Sequence, residues 1–301
     1  MTTATETMQQ VDETGRKGDQ GFFKELFERW PTKTAIIVIS VLWTIPSLGL
    51  LISSFRIRND IRGSGWWTVF TGGNEWTFDH YQSVWSSNGF GNAFANSLAV
   101  TIPSVVIPIT IAAFAAYAFS WMEFPGRQWL FVAVVGLMVV PLQMALIPIL
   151  RLYKSFDLVG TFPAVWLAHA GFGLPLATYL LRNYIGSLPS SIIESAKMDG
   201  ADHFRIFVRL IIPLSVPVLA SFAIFQFLWV WNDYLVALVF LGLEPDGQVL
   251  TVALANLAGG RGEAEHLLPA AAFISMLVPM AVFFGLQRFF VRGMTAGSVK
   301  G

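Results

Sequence analysis

Few residues of this 301-residue chain are placed to do chemistry. Asp233, Gln226, Gln143 and His169 lie inside long apolar runs, with Trp229 and Asn232 beside Gln226 and Asp233. An ionisable group in hydrocarbon is costly unless partnered, so Asp233 and His169 are functional candidates by position. Two chemistries fit them. Asp233 and His169 together would make a two-group proton relay. Gln226, two helical turns before Asp233, would instead combine with Trp229, Asn232 and Asp233 to line a pathway for a polar solute, offering it amide groups and an aromatic ring. A structural reading of the same residues stands beside these: Asn232 and Asp233 bond neighbouring helices near the end of their run, and His169 and Gln143 are helix-packing groups.

Enzyme chemistry finds no support in the residues. There is no Gly-x-x-x-x-Gly-Lys-[Ser/Thr] phosphate loop, no His-Glu-x-x-His, no Gly-x-Ser-x-Gly and no His–acid cluster at metal spacing. Asp199/Asp202 and Glu263/Glu265 read as isolated loop acids. The absence of Cys excludes disulfides, thiolate metal sites and thiol nucleophiles. A formal net charge of zero offers no field to draw in nucleic acid.

The elements that must position these residues are membrane spans. Hydrophobic residues make up 54% of the chain and charged residues 13%, against about 45–50% and about 25% in soluble domains. Six apolar runs reach the length of about 20 residues that a bilayer core requires: 35–54, 94–122, 129–150, 162–181, 214–241 and 268–287. The reading is therefore an all-α integral membrane protein with six transmembrane helices. Prolines 46, 103, 108, 141, 148, 175, 217 and 279 fall inside the runs, which is tolerated where neighbouring helices satisfy the freed carbonyls. Bent or broken helices are expected. Asn96 and Ser97 read as the start of the second helix.

Residues 1–34 read as a polar tail that stays on the mature chain, with no secretory cleavage pattern. Phe22, Phe23, Leu26, Phe27 and Trp30 share one face, as in a short interfacial helix. Residues 35–301 form the membrane domain. Thirteen of the nineteen Lys and Arg fall on the N-terminal side of the membrane, which predicts that both termini are cytoplasmic. The outer loops are then about 55–93, 151–161 and 242–267. The turn Gly259–Gly262 in the last of them is either a solvent turn or a docking point for an outside protein.

The inner loop 182–213 is the most informative stretch. Ser191-Ile-Ile-Glu194 is a capping-box pattern behind Pro189, Gly200 supplies a left-handed stop, and Asp202 is a second start signal. Two short helices with a tight corner follow. Ile192, Ile193, Ala196 and Phe204 are expected at the cytoplasmic surface, where they either meet a protein partner or fold back on the membrane domain.

This loop resembles the Glu-Ala-Ala, three residues, Gly, nine residues, Ile-x-Leu-Pro signature of the membrane subunits of binding-protein-dependent ATP-binding-cassette importers. Glu194, Ala196, Gly200 and Pro213 match, Ser195 replaces the first Ala, and Leu210 and Ile212 exchange the expected Ile and Leu. Met198-Asp199-Gly200-Ala201, Trp231-Asn232-Asp233-Tyr234 and the tail Thr295–Gly301 further resemble the carbohydrate branch, its maltose-type second permease. Arg56, Asp60, Ser64, Gly65, Trp66 and Trp67 look like the alpha-glucoside type.

The resemblance implies a non-enzymatic permease subunit of the cytoplasmic membrane. It implies a heterodimer with a second homologous permease, two ATP-binding-cassette ATPases beneath, and an extracytoplasmic sugar-binding protein delivering cargo. ATP and Mg would sit on the partner ATPases, and this chain would need no cofactor of its own. Segment 190–206 would be the coupling helix, with Ile192, Ile193, Glu194, Ala196, Asp199, Gly200 and Phe204 at the ATPase groove. The cargo would be a di- or oligosaccharide, with an alpha-glucoside favoured. The stand-alone proton-coupled transporter built on Asp233 and His169 remains the alternative, and it predicts a wider buried network of titratable groups than this chain holds.

Overall fold

The computed structural model describes residues 30–295 apart from 74, 88 and 260–263. The described chain is nearly all helical. Five of its helices are long and apolar enough to cross a membrane, or six if one sharply bent pair counts as a span. The expected interfacial helix around 22–30 lies outside the described residues except for Trp30. Two units, 1–75 and 76–301, are described separately.

In the first unit, α1 (Trp30–Ser54) begins ahead of the expected Ala35. Gly49 lies under the Trp66 indole, where a Cβ would come within 2.6 Å of Nε1. Helix α2 (Arg58–Gly63) and a 3-10 turn (Trp66–Thr71) follow. Arg56 is buried and donates to the carbonyls of Asp60 and Ser64 and to the hydroxyls of Ser64 and Thr68. The Asp60 carboxylate accepts the Glu75 N–H. The Trp-rich segment after α1 is thus organised around one guanidinium, whose several donors suit a cluster of carbonyls and hydroxyls.

The second unit opens with α3 (Asp79–Gln82) and a π turn (Ser83–Ser87). Its helices are α4 (Phe90–Trp121), α5 (Arg127–Gly136), α6 (Leu142–Ser155), α7 (Phe162–Ile185), α8 (Ser190–Met198) and α9 (His203–Ile206). Then come α10 (Ile212–Trp231), α11 (Leu235–Leu241), α12 (Leu250–Gly259) and α13 (Leu268–Thr295). The most extensive packing joins α4 to α7. Both helices bring small buried residues to it, Ala112, Ala113 and Ala116 on α4 and Ala164, Ala168 and Ala177 on α7, which let two backbones approach in lipid. Helix α10 packs against α13, α4 and α7.

The prolines account for much of the cross-bracing. A proline removes the N–H that the carbonyl four residues earlier needs, and lipid offers no substitute donor. Pro103 frees the Ala99 carbonyl, which takes the Trp166 indole N–H at 3.0 Å. Pro279 frees the Ser275 carbonyl, which takes the Trp231 indole at 3.0 Å. At the end of α7 the Ile185 carbonyl takes the Trp121 indole at 3.1 Å beside the Leu188 N–H at 3.3 Å. Pro108 frees the Ser104 carbonyl, which takes the Gln226 amide at 3.2 Å. Neighbouring spans supply donors to these carbonyls, as the sequence led one to expect.

The expected breaks are present, and several boundaries are corrected. The run 129–150 is divided, as its prolines led one to expect: α5 ends in a 3-10 turn (Leu137–Val139), and the axis bends by 103° before α6. Pro141 sits at the break and holds Val140 extended. The run 214–241 is also divided. Its helix begins at His203, passes through a five-residue π segment (Phe207–Ile211) and stops at Trp231. Ser191 does not cap α8; Pro189 occupies the N-cap with no side-chain bond, so the capping box does not form. Asn96 and Ser97 do not start a helix, because α4 already begins at Phe90. The loop 242–267 contains α12, whose Leu250, Val252 and Ala253 are buried.

Candidate functional site

At the break between α10 and α11, Asp233 accepts the N–H of Val236 on Oδ1 at 3.3 Å and that of Ala237 on Oδ2 at 3.0 Å. The carboxylate thereby satisfies two of the N–H groups that open α11. The Asp233 carbonyl accepts the Thr251 hydroxyl at 2.6 Å, which binds α12 to the break. Asn232 turns back to donate to the Leu228 carbonyl at 2.7 Å. From α7, His169 places Nε2 3.6 Å from Asp233 Oδ2, with Trp229 edge-on to its ring at 5.0 Å. Asn96 donates to the carbonyls of Asp246 and Gln248, and Ser97 accepts the Leu250 N–H, so α4 holds the other end of the segment leading to α12.

Gln226 is fully buried on α10. Its Nε2 donates to the carbonyls of Ser104 on α4 and His169 on α7, at 3.2 and 3.3 Å, while Oε1 has no hydrogen-bond partner. Gly173 makes the approach possible, since a Cβ there would lie 2.6 Å from Oε1. The same amide forms part of the wall of a groove of about 230 Å³ with Trp229, Phe225, Phe172, Leu176 and Met138. A second groove of about 300 Å³ lies against the bent pair and shares Phe172; Tyr153 and a run of aliphatic residues line it. Gln143 is exposed on α6, apart from both grooves.

Of the four predicted pathway residues, the structure brings Gln226 and Trp229 to one groove. It uses Asn232 and Asp233 at the helix break. Sequence reasoning missed Ser104, Trp166, Trp121 and Trp231. The signal was present in each case as a proline four residues past a carbonyl, but the donor comes from another helix and sequence spacing does not reveal it.

In the inner loop, Gly200 has φ +78° and ends α8. The Ala201 N–H bonds to the Ala196 carbonyl and the Gly200 N–H to that of Lys197, the paired bonds of a Schellman stop. Asp202 caps α9 by accepting the Arg205 N–H at 2.7 Å, as expected. Ile193 is turned inward, 2% exposed, into a cluster with Ile206, Phe207, Leu181 and Ile185, so its expected place at the surface is corrected. Ala196 packs at the edge of that cluster. Ile192, Glu194 and Asp199 are exposed, as are Met198 and Phe204, the last by 68%. The Tyr117 hydroxyl lies 2.8 Å from His203 Nδ1 and the Ser120 hydroxyl donates to the Arg182 carbonyl, so α4 grips both sides of the loop.

This architecture is shared with known proteins. A permease protein for uptake of osmoprotective compounds from Synechocystis is 56% identical, covering 100% of both chains. An alpha-glucoside transport system permease protein from Rhizobium meliloti is 42% identical, covering 90% of this chain and 97% of its own length. Among solved structures, a bacterial ABC transporter involved in import of the acidic polysaccharide alginate has a chain of the same fold, with TM-score 0.71 and 22% identity over 86% of this chain and 95% of that one. The pattern of the family described as binding-protein-dependent transport system inner membrane component matches residues 21–296, nearly the whole chain. This chain belongs to that family of transport-system inner membrane components.

Proposed function

We propose that this chain is one of two membrane-spanning subunits of an ATP-binding-cassette importer that carries a small alpha-linked sugar, a di- or oligosaccharide of the alpha-glucoside class, into the cell. A second homologous permease completes the pathway. Two ATPases bind inside, and a sugar-binding protein docks outside. In this reading the bent pair counts as one span of six, both termini are cytoplasmic, and a tail of about 34 residues leads into the permease domain. The observation that carries the coupling role is the loop 190–206. Its inward residues Ile193 and Ile206 tie it to α7 and the start of α10, while Ile192, Glu194, Met198, Asp199 and Phe204 stand on its outer side. A rigid corner that is fastened to two spans and has an apolar edge transmits a push as a body movement. The substrate class is supported by the alpha-glucoside permease at 42% identity and by the Arg56–Trp67 segment. Trp229 at the 230 Å³ groove is the cargo-facing residue of this reading, with Gln226 in the wall behind it and Asn232 and Asp233 at the break that follows α10.

The test is a tagged pull-down from detergent-solubilised native membranes with wild-type and Glu194→Lys chains, joined to whole-cell uptake of radiolabelled maltose, trehalose and sucrose. A Walker-motif ATPase and a second permease should co-purify, the ATPase should be lost in the variant, and uptake of at least one sugar should depend on ATP. Recovery of the chain alone, moving solute in liposomes without ATP, would sink the importer reading in favour of the proton-coupled one.

A further inference from the structure

Gln226 is a costly choice unless its donors matter. Its Oε1 is buried with no hydrogen-bond partner, and a stranded acceptor is destabilising, whereas Leu or Met would fill a similar volume without that penalty. What Leu and Met cannot do is donate. The Ser104 carbonyl lies four residues before Pro108, which cannot supply the N–H that position would otherwise donate, and Gln226 Nε2 reaches it at 3.2 Å. The same nitrogen reaches the His169 carbonyl at 3.3 Å. The indoles of Trp166 and Trp231 serve other proline-associated carbonyls, but an indole has one N–H and reaches one helix. An amide has two, and here they join three helices.

We propose that Gln226 is a positioning residue of the transport cycle: its amide replaces across space the N–H that Pro108 lacks and, by holding His169 as well, keeps α4, α7 and α10 in one register at that level. Gly173 supplies the clearance. The consequence for transport rests on the importer reading. The replacement of the missing N–H does not.

The experiment is a double-mutant cycle on the full chain, Gln226→Leu and Pro108→Ala singly and together. Pro108→Ala restores a backbone N–H aimed at the Ser104 carbonyl, so it makes the amide partly redundant. Gln226→Leu should lower the midpoint of thermal unfolding in detergent by about 3 °C, and by less than half as much in the Pro108→Ala background. Equal losses in both backgrounds overturn the inference. If Gln226→Leu yields no folded chain, Gly173→Ala, whose Cβ displaces the amide, is run in the same two backgrounds with the same criterion. In uptake of the best-carried sugar among maltose, trehalose and sucrose, Gln226→Leu should lower Vmax with KM unchanged, and Pro108→Ala should restore part of it. A raised KM with no recovery overturns the inference and assigns Gln226 to direct sugar contact. A wild-type chain that takes up no sugar counts against the importer reading, while the unfolding cycle still decides the inference.

Discussion

His169 Nε2 on α7 stands 3.6 Å from Asp233 Oδ2 at the break between α10 and α11. That oxygen already accepts the Ala237 N–H, and the other oxygen accepts that of Val236, so the carboxylate serves the helix start before it serves the imidazole. The two intramembrane titratable groups that the sequence presents separately are neighbours, yet their geometry is that of a cap braced by a ring.

Capping predicts a graded loss at Asp233. Both carboxylate oxygens accept a backbone N–H and an Asn amide has one acceptor, so Asp233→Asn should keep one of the two bonds and lose less stability than Asp233→Ala, which should cost about 1 kcal/mol, with uptake near wild type in the Asn variant. Thermal unfolding of the purified chain with parallel uptake assays checks this. A proton relay requires the opposite, loss of uptake in the Asn variant at unchanged stability.

The inner loop separates packing from docking. Ile193→Ala should destabilise the chain by about 2–4 kcal/mol, because the side chain is buried against Ile206. Phe204→Ala should change stability by less than about 0.5 kcal/mol and weaken ATPase co-purification. A stability loss at Phe204 equal to that at Ile193 would mean that the ring packs on its own chain.

Gly200→Val should be harmful because a β-branched residue at φ +78° costs about 1–2 kcal/mol, and Gly200→Asn should recover much of the loss. ATPase co-purification should fall with Val and return with Asn. Normal assembly and uptake with Val would remove the turn from the coupling mechanism.

Trp229→Ala enlarges the groove and removes the ring against His169. Sugar uptake should fall about tenfold, as for loss of one stacked aromatic contact, while ATPase co-purification stays intact. Unchanged kinetics would take Trp229 out of the pathway.

Trp231→Phe leaves the Ser275 carbonyl without its indole donor beneath Pro279. The expected cost is about 1–3 kcal/mol, and it should shrink in a Pro279→Ala background, where the substituted residue supplies the missing backbone N–H. Additive losses in that cycle would show that the indole contributes packing alone.

Much of the molecule was legible before the fold was known. Six apolar runs, the Gly200 stop and the Asp202 cap are local features, decided by hydropathy over a helix length, by φ at one residue and by one side chain reaching a nearby N–H. The proline pattern announced that donors must come from elsewhere. It did not say which: Trp121, Trp166 and Trp231 pass as ordinary apolar-face residues at their spacing, and Gln226 reads as a pathway residue rather than a donor to a carbonyl. Asn232 and Asp233 read as part of one long run because hydropathy averages over a window and does not register a break a few residues wide.

The sequence by itself determined that the chain lives in lipid, which stretches are apolar enough to cross it and where its inner loop turns, because transfer of apolar groups and local backbone preference act through neighbours along the chain. Only the tertiary structure decided that Ile193 faces inward, that Asp233 caps α11 beside His169, and that Gln226 binds three helices together. Each of those depends on a carbonyl, ring or cavity contributed by a distant segment, and in a medium without water such groups must find partners within the protein.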